Sequence, residues 1–139
     1  MTKDLTLPEP RSGMGAVIDA NGRIYVCGGN ANGHISSTCL IIDILKSNEF
    51  VPISPMRCRR DEFALTIGPD HKLYAIGGFG GTERAPLRAC ERYDPETGEW
   101  ESIAPLNEPR RALAGVCLPD GVYAIGGFDK TRSLATVER

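Results

Sequence analysis

The chain has 139 residues, a formal net charge of −2 and an ordinary globular composition. It lacks the basic excess typical of nucleic-acid-binding proteins, and no apolar run reaches the roughly 18 residues of a membrane-spanning helix. Its first ten residues, MTKDLTLPEP, contain no apolar signal-peptide core. We therefore expect one globular domain with neither a nucleic-acid nor a membrane partner.

The first third of the chain predicts four short β-strands separated by turn signals. The first two, at residues 15–18 and 23–27, flank Asn21-Gly22, a pair that accepts the positive φ of a tight hairpin turn. The other two are expected at residues 39–45 and 49–53.

The remainder of the chain repeats this pattern. Strands are predicted at residues 63–67, 73–76, 89–93, 100–103, 113–118 and 122–125. The inner strands are almost continuously apolar, which indicates that both of their faces are covered. No segment shows a period of 3.6 residues, so we expect helix to be nearly absent.

An internal repeat connects these strands. Tyr25, Tyr74 and Tyr123 lie 49 residues apart, and each is followed by one further pair of residues and then a glycine doublet. Arginines recur at positions 11, 60 and 110, and the aromatic residue Phe50 recurs as Trp100. A period near 50 residues indicates a repeat architecture. The units are residues 11–59, 60–109 and 110–139, and residues 1–10 are interpreted as the remnant of a preceding outer strand.

These landmarks resemble the kelch repeat. The segments ERYDP at 91–95 and GEW at 98–100, followed by Pro109-Arg110, are most similar to animal BTB-kelch proteins. The resemblance implies an all-β fold, a partial kelch-type β-propeller of about three four-stranded blades with the last one truncated. The first unit departs from the pattern, because it has Leu40-Ile41-Ile42 where the second has Glu-Arg-Tyr.

Propellers close with about four to eight blades, so about three units do not complete a ring. We therefore expect a fragment of a longer chain or, as the alternative, half of a two-chain ring. In either case both terminal blades would expose apolar faces, which favours self-association. In a dimer, residues 1–5 of one chain would add beside the strand near Val137 of the other.

The sequence offers no catalytic, metal or cofactor site. His34 and His71 belong to different connections, and Asp43 and Asp94 recur at one repeat position, which indicates a role in turns. The five cysteines are odd in number and form no CxxC motif, so we interpret them as reduced thiols of a cytoplasmic protein.

Binding is expected where the units differ. The segments after the glycine pairs vary while the strands repeat, and variable loops on a repeated scaffold usually carry function. In kelch propellers these loops share one face with the links between blades. Arg11, Arg60 and Arg110 recur and are predicted to be structural, whereas a solvated surface is the alternative for Arg57, Arg59 and Arg111. The predicted protein-binding residues are Asn30, His34, Arg57, Arg59, Phe79, Glu83, Arg84, Arg111, Phe128 and Arg132.

The function predicted from these residues is non-enzymatic binding of a protein partner through an acidic or polar peptide. The resemblance implies substrate recognition as in cullin-3 ubiquitin ligase adaptors, although residues 1–139 include no BTB segment for binding cullin. The alternatives are an actin-binding cytoskeletal scaffold and a propeller enzyme such as a copper oxidase or a sialic-acid mutarotase.

Overall fold

The computed structural model describes residues 4–139, and this part of the chain contains strands and turns but no helix, so no helical segment could cross a membrane. The strands are β1 Gly15–Ile18, β2 Arg23–Cys27, β3 Asn30–Ala31, β4 His34–Ile35, β5 Cys39–Asp43, β6 Val51–Ile53, β7 Arg60–Asp61, β8 Ala64–Ile67, β9 Leu73–Ile76, β10 Phe79–Gly80, β11 Ala85–Pro86, β12 Cys90–Asp94, β13 Glu99–Ile103, β14 Ala114–Leu118, β15 Gly121–Ile125 and β16 Val137–Glu138.

The longer strands form three antiparallel sheets, which we call blades. Blade 1 has the order β1-β2-β5-β6, blade 2 has the order β8-β9-β12-β13, and blade 3 has the order β14-β15-β16. This architecture confirms the predicted all-β fold with two four-stranded blades and a shorter third.

Predicted strand boundaries are wrong mainly at the outer turns. The strand expected at 39–45 ends at Asp43, and the one expected at 49–53 begins at Val51. The strand ends early because the Asp43 side chain stabilises a turn: its carboxylate accepts a hydrogen bond from the Leu45 amide (3.1 Å). Asp94 accepts the equivalent bond from the Glu96 amide (2.9 Å), so both recurring aspartates act in turns as expected.

Short strands also form where sequence patterns indicated only loops. Strands β3 and β4 make a hairpin after the first glycine pair, and β10 and β11, which follow the second pair, make a small sheet with β7. Isolated bridges join Ser12 to Asn30 and Arg111 to Phe128. Each blade therefore carries a small patch of β-structure at the end where the chain enters it.

The hydrophobic core lies between neighbouring blades. Tyr25 and Cys27 of blade 1 pack with Leu73, Tyr93 and Trp100 of blade 2. A second cluster joins blade 2 to blade 3, and its buried members are Ala64, Ile76, Cys90, Leu106, Leu113 and Ala124.

The glycine pairs allow backbone segments to approach closely, both between neighbouring units and within one. Gly77 and Gly78 both have positive φ, 59° and 98°. A Cβ on Gly77 would lie 2.7 Å from the Arg110 carbonyl oxygen, and one on Gly78 would lie 2.6 Å from that of Asp61. Only glycine satisfies both the backbone conformation and the available space.

The two terminal faces are exposed to different extents. On blade 1 the side chains of Val26, Leu40 and Ile42 point away from blade 2 and are buried, whereas Ile18 on the same face is 56% exposed. On blade 3 the outward side chains are exposed: Val116, Leu118, Ile125 and Val137. Of the predicted N-terminal strand, residues 1–3 lie outside the described residues, and Asp4 and Leu5 are not in a strand.

Candidate functional site

The variable segments and the links between blades meet on one surface, which we call the loop face. It is formed by β3, β4, β7, β10 and β11 with the bridges around Phe128. Backbone hydrogen bonds connect its neighbouring units, since the Glu62 amide donates to Gly13 (2.9 Å) and the Ala112 amide donates to Glu62 (2.8 Å). The loop face is therefore a continuous surface across the three blades.

Two of the recurring arginines lie fully buried beneath this surface. Arg60 Nη1 donates to the carbonyl oxygens of Gly77 and Ala89, both at 2.8 Å, and Nη2 donates to Glu91 Oε2 at 2.9 Å. Arg110 makes the equivalent bonds to the carbonyls of Gly126 and Thr136 and a bond to Glu138. Their structural role is confirmed, because they fasten the glycine turn to the third strand of the same blade.

The glutamates of these pairs also hold the links between blades. Glu91 accepts from the amides of Arg57 (2.7 Å) and Cys58 (3.1 Å). Glu138 accepts from the amides of Asn107 (2.6 Å) and Glu108 (3.2 Å). Burial by itself raises the pKa of the Glu138 carboxyl. These amide bonds and the neighbouring Arg110 outweigh burial, so the pKa of Glu138 is lowered.

The first unit lacks this glutamate, because Leu40 occupies its position. Arg11 keeps the contacts to Glu9 (3.2 Å) and the Thr38 hydroxyl (2.9 Å), which Arg110 also makes to its equivalent residues, but its buried Nε atom has no hydrogen-bond partner among the described residues. The departure noted in the sequence therefore removes the buried ion pair and leaves the more exposed pair with Glu9.

A first hollow in the loop face, of about 380 Å³, contains several of the predicted binding residues. Arg57 and Arg59 contribute from the link between blades 1 and 2, and Glu83 contributes from the loop of blade 2. Both arginines and Glu83 are exposed. Two cations and one carboxylate give this hollow a locally basic character.

A second hollow, of about 310 Å³, adjoins the first and shares Glu83 with it. The Arg111 guanidinium stacks on the Phe79 ring, 4.2 Å from its centroid, and its Nε donates to Glu62 at 2.6 Å. The bond to Glu62 raises the pKa of Arg111. Arg111 is therefore already paired with Glu62. Its flat guanidinium group offers a ligand a surface for packing rather than an unpaired charge.

The other predicted binding residues lie partly at the second hollow and partly outside both hollows. Phe128, 40% exposed, and Arg84, with φ of 52°, line the second hollow. Arg132 lies beside it, with Glu108 and Asp129 each 3.8 Å away. Asn30 and His34 belong to the blade 1 hairpin and line neither hollow, and the Asn30 carboxamide oxygen accepts from the Gly33 amide (2.9 Å).

Sequence patterns missed the acidic part of this site. Glu62 and Arg111 lie one repeat apart, 49 residues, and such spacing places two residues on neighbouring blades; this signal could have revealed the pair. Asp61 was also missed. Its Oδ1 atom is buried without a hydrogen-bond partner in residues 4–139, and burial, followed by the charge of Glu62, raises its pKa.

The described residues hold no group of three or more His, Cys, Asp or Glu side chains arranged to bind a metal. All five cysteines are free thiols. The hydrogen bond with Cys39, followed by burial, raises the pKa of Cys27, so this thiol stays protonated and unreactive at neutral pH. The loop face thus presents charged side chains and aromatic rings suited to binding.

Comparison with known proteins agrees with this architecture. A family model described as the Kelch motif matches residues 67–107. Kelch-like protein 35 of Mus musculus is 35% identical over 104 residues, which are 75% of this chain and 17% of that protein. Kelch-like protein 28 of Homo sapiens is 32% identical over 90 residues, which are 60% of this chain and 16% of that protein.

The fold and these similarities together define a kelch-repeat chain, and its three sheets are blades of a kelch-type β-propeller. Kelch-like protein 4 of Homo sapiens is 48% identical over 48 residues, 34% of this chain and 7% of that protein. The chain spans only 16–17% of the kelch-like proteins 28 and 35.

Proposed function

We propose that this chain is a non-enzymatic protein-interaction module that binds an acidic or polar peptide of a partner on its loop face. The supporting observation is the pair of adjoining hollows, in which exposed arginines lie beside two phenylalanine rings. Arginine binds carboxylates through paired hydrogen bonds, and aromatic residues and arginine are common at the energetic centres of interfaces.

Among the described residues, Arg57, Arg59 and Arg84 form no salt bridge, whereas Arg111 is paired with Glu62. Glu62 neutralises Arg111, so a carboxylate of the ligand would pair with the exposed arginines, while an apolar side chain would rest on Phe79 and Phe128. The ligand expected from this arrangement alternates acidic and apolar residues.

The first prediction tests these roles with two short model peptides of equal length. One alternates glutamate with leucine, and the other has lysine in place of each glutamate. We expect the acidic peptide to bind preferentially, and Arg59→Ala or Arg84→Ala to weaken its binding by about 1–3 kcal/mol. Fluorescence anisotropy at two salt concentrations measures both the affinity and its electrostatic component.

The matched control is Lys46→Ala, which removes an exposed cation from the β5–β6 turn at the opposite end of blade 1. It should leave peptide affinity unchanged, and all three variants should shift stability by less than about 0.5 kcal/mol. Equal loss of binding in the Lys46 variant would mean that the peptide responds to overall charge, which would reject the loop face as the site.

In a longer kelch-like protein, the same face would recognise substrates for a cullin-3 ubiquitin ligase in the cytoplasm. The similarity to kelch-like proteins supports this role, and the five free thiols suit a reducing compartment. The test is ubiquitination of a bound protein by a kelch-like protein that contains these 139 residues, which should be lost with Arg59→Ala and retained with Lys46→Ala.

A further inference from the structure

One position of the repeat has a different side chain in each unit while its backbone conformation stays the same. Gly13, Glu62 and Ala112 each lie two residues after a recurring arginine, and their φ angles are 65°, 50° and 52°. Glycine adopts this left-handed conformation at the lowest cost. The backbone requirement therefore does not account for the glutamate of the second unit.

The Glu62 side chain reaches a residue of the next unit. Its Oε2 atom accepts a hydrogen bond from Arg111 Nε at 2.6 Å, and the side chains of Arg111 and Glu62 are 31% and 39% exposed. Ion pairs with this much exposure contribute little to stability. The glutamate is therefore better explained by what it does to Arg111 than by what it adds to the fold.

Arg111 lines the second hollow, whereas Glu62 holds it from outside the lining. The guanidinium lies over the Phe79 ring, and the bond to Glu62 uses only Nε. Within residues 4–139, the Nη1 and Nη2 atoms of Arg111 make no hydrogen bond. Arginine presents such donors to a carboxylate in a planar fork. Arg111 is thus an anion site whose charge the chain balances with its own carboxylate.

The two hollows differ in their balance of charge. The charged residues that line the second hollow are Arg84, Arg111, Lys130, Glu83 and Asp129. Glu62 adds a third carboxylate beside them, so the cations and carboxylates there are equal in number. In the first hollow, Arg57 and Arg59 face one carboxylate, Glu83. An acidic ligand residue is therefore favoured in the first hollow and not in the second.

We propose that Glu62 determines the specificity of the loop face by excluding an acidic ligand residue from the second hollow. Acidic residues then bind in the first hollow and an apolar residue binds against Phe79 and Phe128 in the second, which fixes the direction of a peptide across the two. This inference rests on the proposed function and assigns its selectivity to one residue. Without the Glu62 carboxylate, the second hollow becomes a second site for an acidic residue.

The second prediction uses the 139-residue chain and three peptides of equal length. One alternates glutamate with leucine throughout, and in each of the other two glutamine replaces the glutamates of one half. The wild-type chain should bind the better half-acidic peptide about as tightly as the fully acidic one. Glu62→Gly should bind the fully acidic peptide about tenfold more tightly than either, because Arg111 then accepts a second carboxylate. Fluorescence anisotropy measures the three affinities.

Three further variants separate the ion pair from charge and backbone effects. Ala112→Gly places glycine at the equivalent backbone position of the next unit, and Glu96→Gln removes a carboxylate from an exposed turn. Both should keep the wild-type preference. Arg111→Ala, added to Glu62→Gly, should abolish the gain for the fully acidic peptide, since the gain requires the guanidinium.

Thermal unfolding of the same variants distinguishes specificity from stability. An unchanged peptide preference in Glu62→Gly, with a lower Tm, would mean that the pair only fastens blades 2 and 3. That result, or a tenfold preference of the wild-type chain for the fully acidic peptide, would overturn the inference and leave the proposed function standing. Binding of none of the peptides by any of these proteins would overturn both.

Discussion

The interface between blades 1 and 2 and the interface between blades 2 and 3 are built from the same repeat, yet within residues 4–139 the two contain different outer layers. Both have an inner layer of small and aliphatic side chains, such as Ala75 and Ala124. The first also has an outer layer in which Tyr25, Tyr93 and Trp100 are in aromatic contact. In the second, the corresponding volume is a groove beside Ile103 and Ala104.

This difference shows that the blades are joined in two separate ways. Inner strands meet face to face, as β8 meets β14, and the outer strands add aromatic side chains across the seam. The buried arginine pairs belong to neither layer. They lie at the loop face end and are present in both blade 2 and blade 3.

The largest expected effect comes from making the first interface resemble the second. Trp100→Ala removes the outer aromatic layer and the bond to Ser54, and should lower the free energy of unfolding by about 3–5 kcal/mol. Denaturant unfolding followed by circular dichroism measures it, because this substitution removes the only tryptophan. A loss below about 1 kcal/mol would mean that the aromatic layer contributes little to joining the blades.

The arginine pairs test whether blades 2 and 3 also differ in their internal polar contacts. Arg60→Ala leaves Glu91 buried and unpaired, at a cost of about 3 kcal/mol or more. Arg110→Ala should cost less, since the Glu138 side chain is 12% exposed and that of Glu91 is only 2% exposed. Equal losses measured by thermal and denaturant unfolding would show that this difference in exposure has no energetic consequence.

The smallest effect concerns pH. Because the pKa of Glu138 is lowered in the folded chain, its ionised form stabilises the fold above the unfolded value near 4.5, and this contribution is lost as the pH falls further. Glu138→Gln should reduce stability at neutral pH by about 1 kcal/mol and flatten its decline below pH 4.5. Glu96→Gln, in an exposed turn, is the control, and an identical acid profile for both variants would contradict this role.

The all-β fold, the blade period and the structural role of the recurring arginines could all be predicted from sequence patterns. These features are predictable because equivalent residues in each repeat must satisfy the same local structural requirement. Tyr25, Tyr74 and Tyr123 mark equivalent strands, and Arg60 and Arg110 recur because each glycine turn exposes carbonyl groups that need a donor. The turns stabilised by Asp43 and Asp94 could also be predicted from the sequence.

Contacts between side chains of different repeats could be learned only from the three-dimensional structure. The pairing of Arg111 with Glu62, the unpaired buried oxygen of Asp61 and the burial of Leu40 and Ile42 all depend on which side chains meet across a seam. A sequence pattern gives the face on which a residue lies, because the strand period is local. Whether that face is covered, and whether a charge on it is free to bind, depends on contacts between distant residues that no local pattern records.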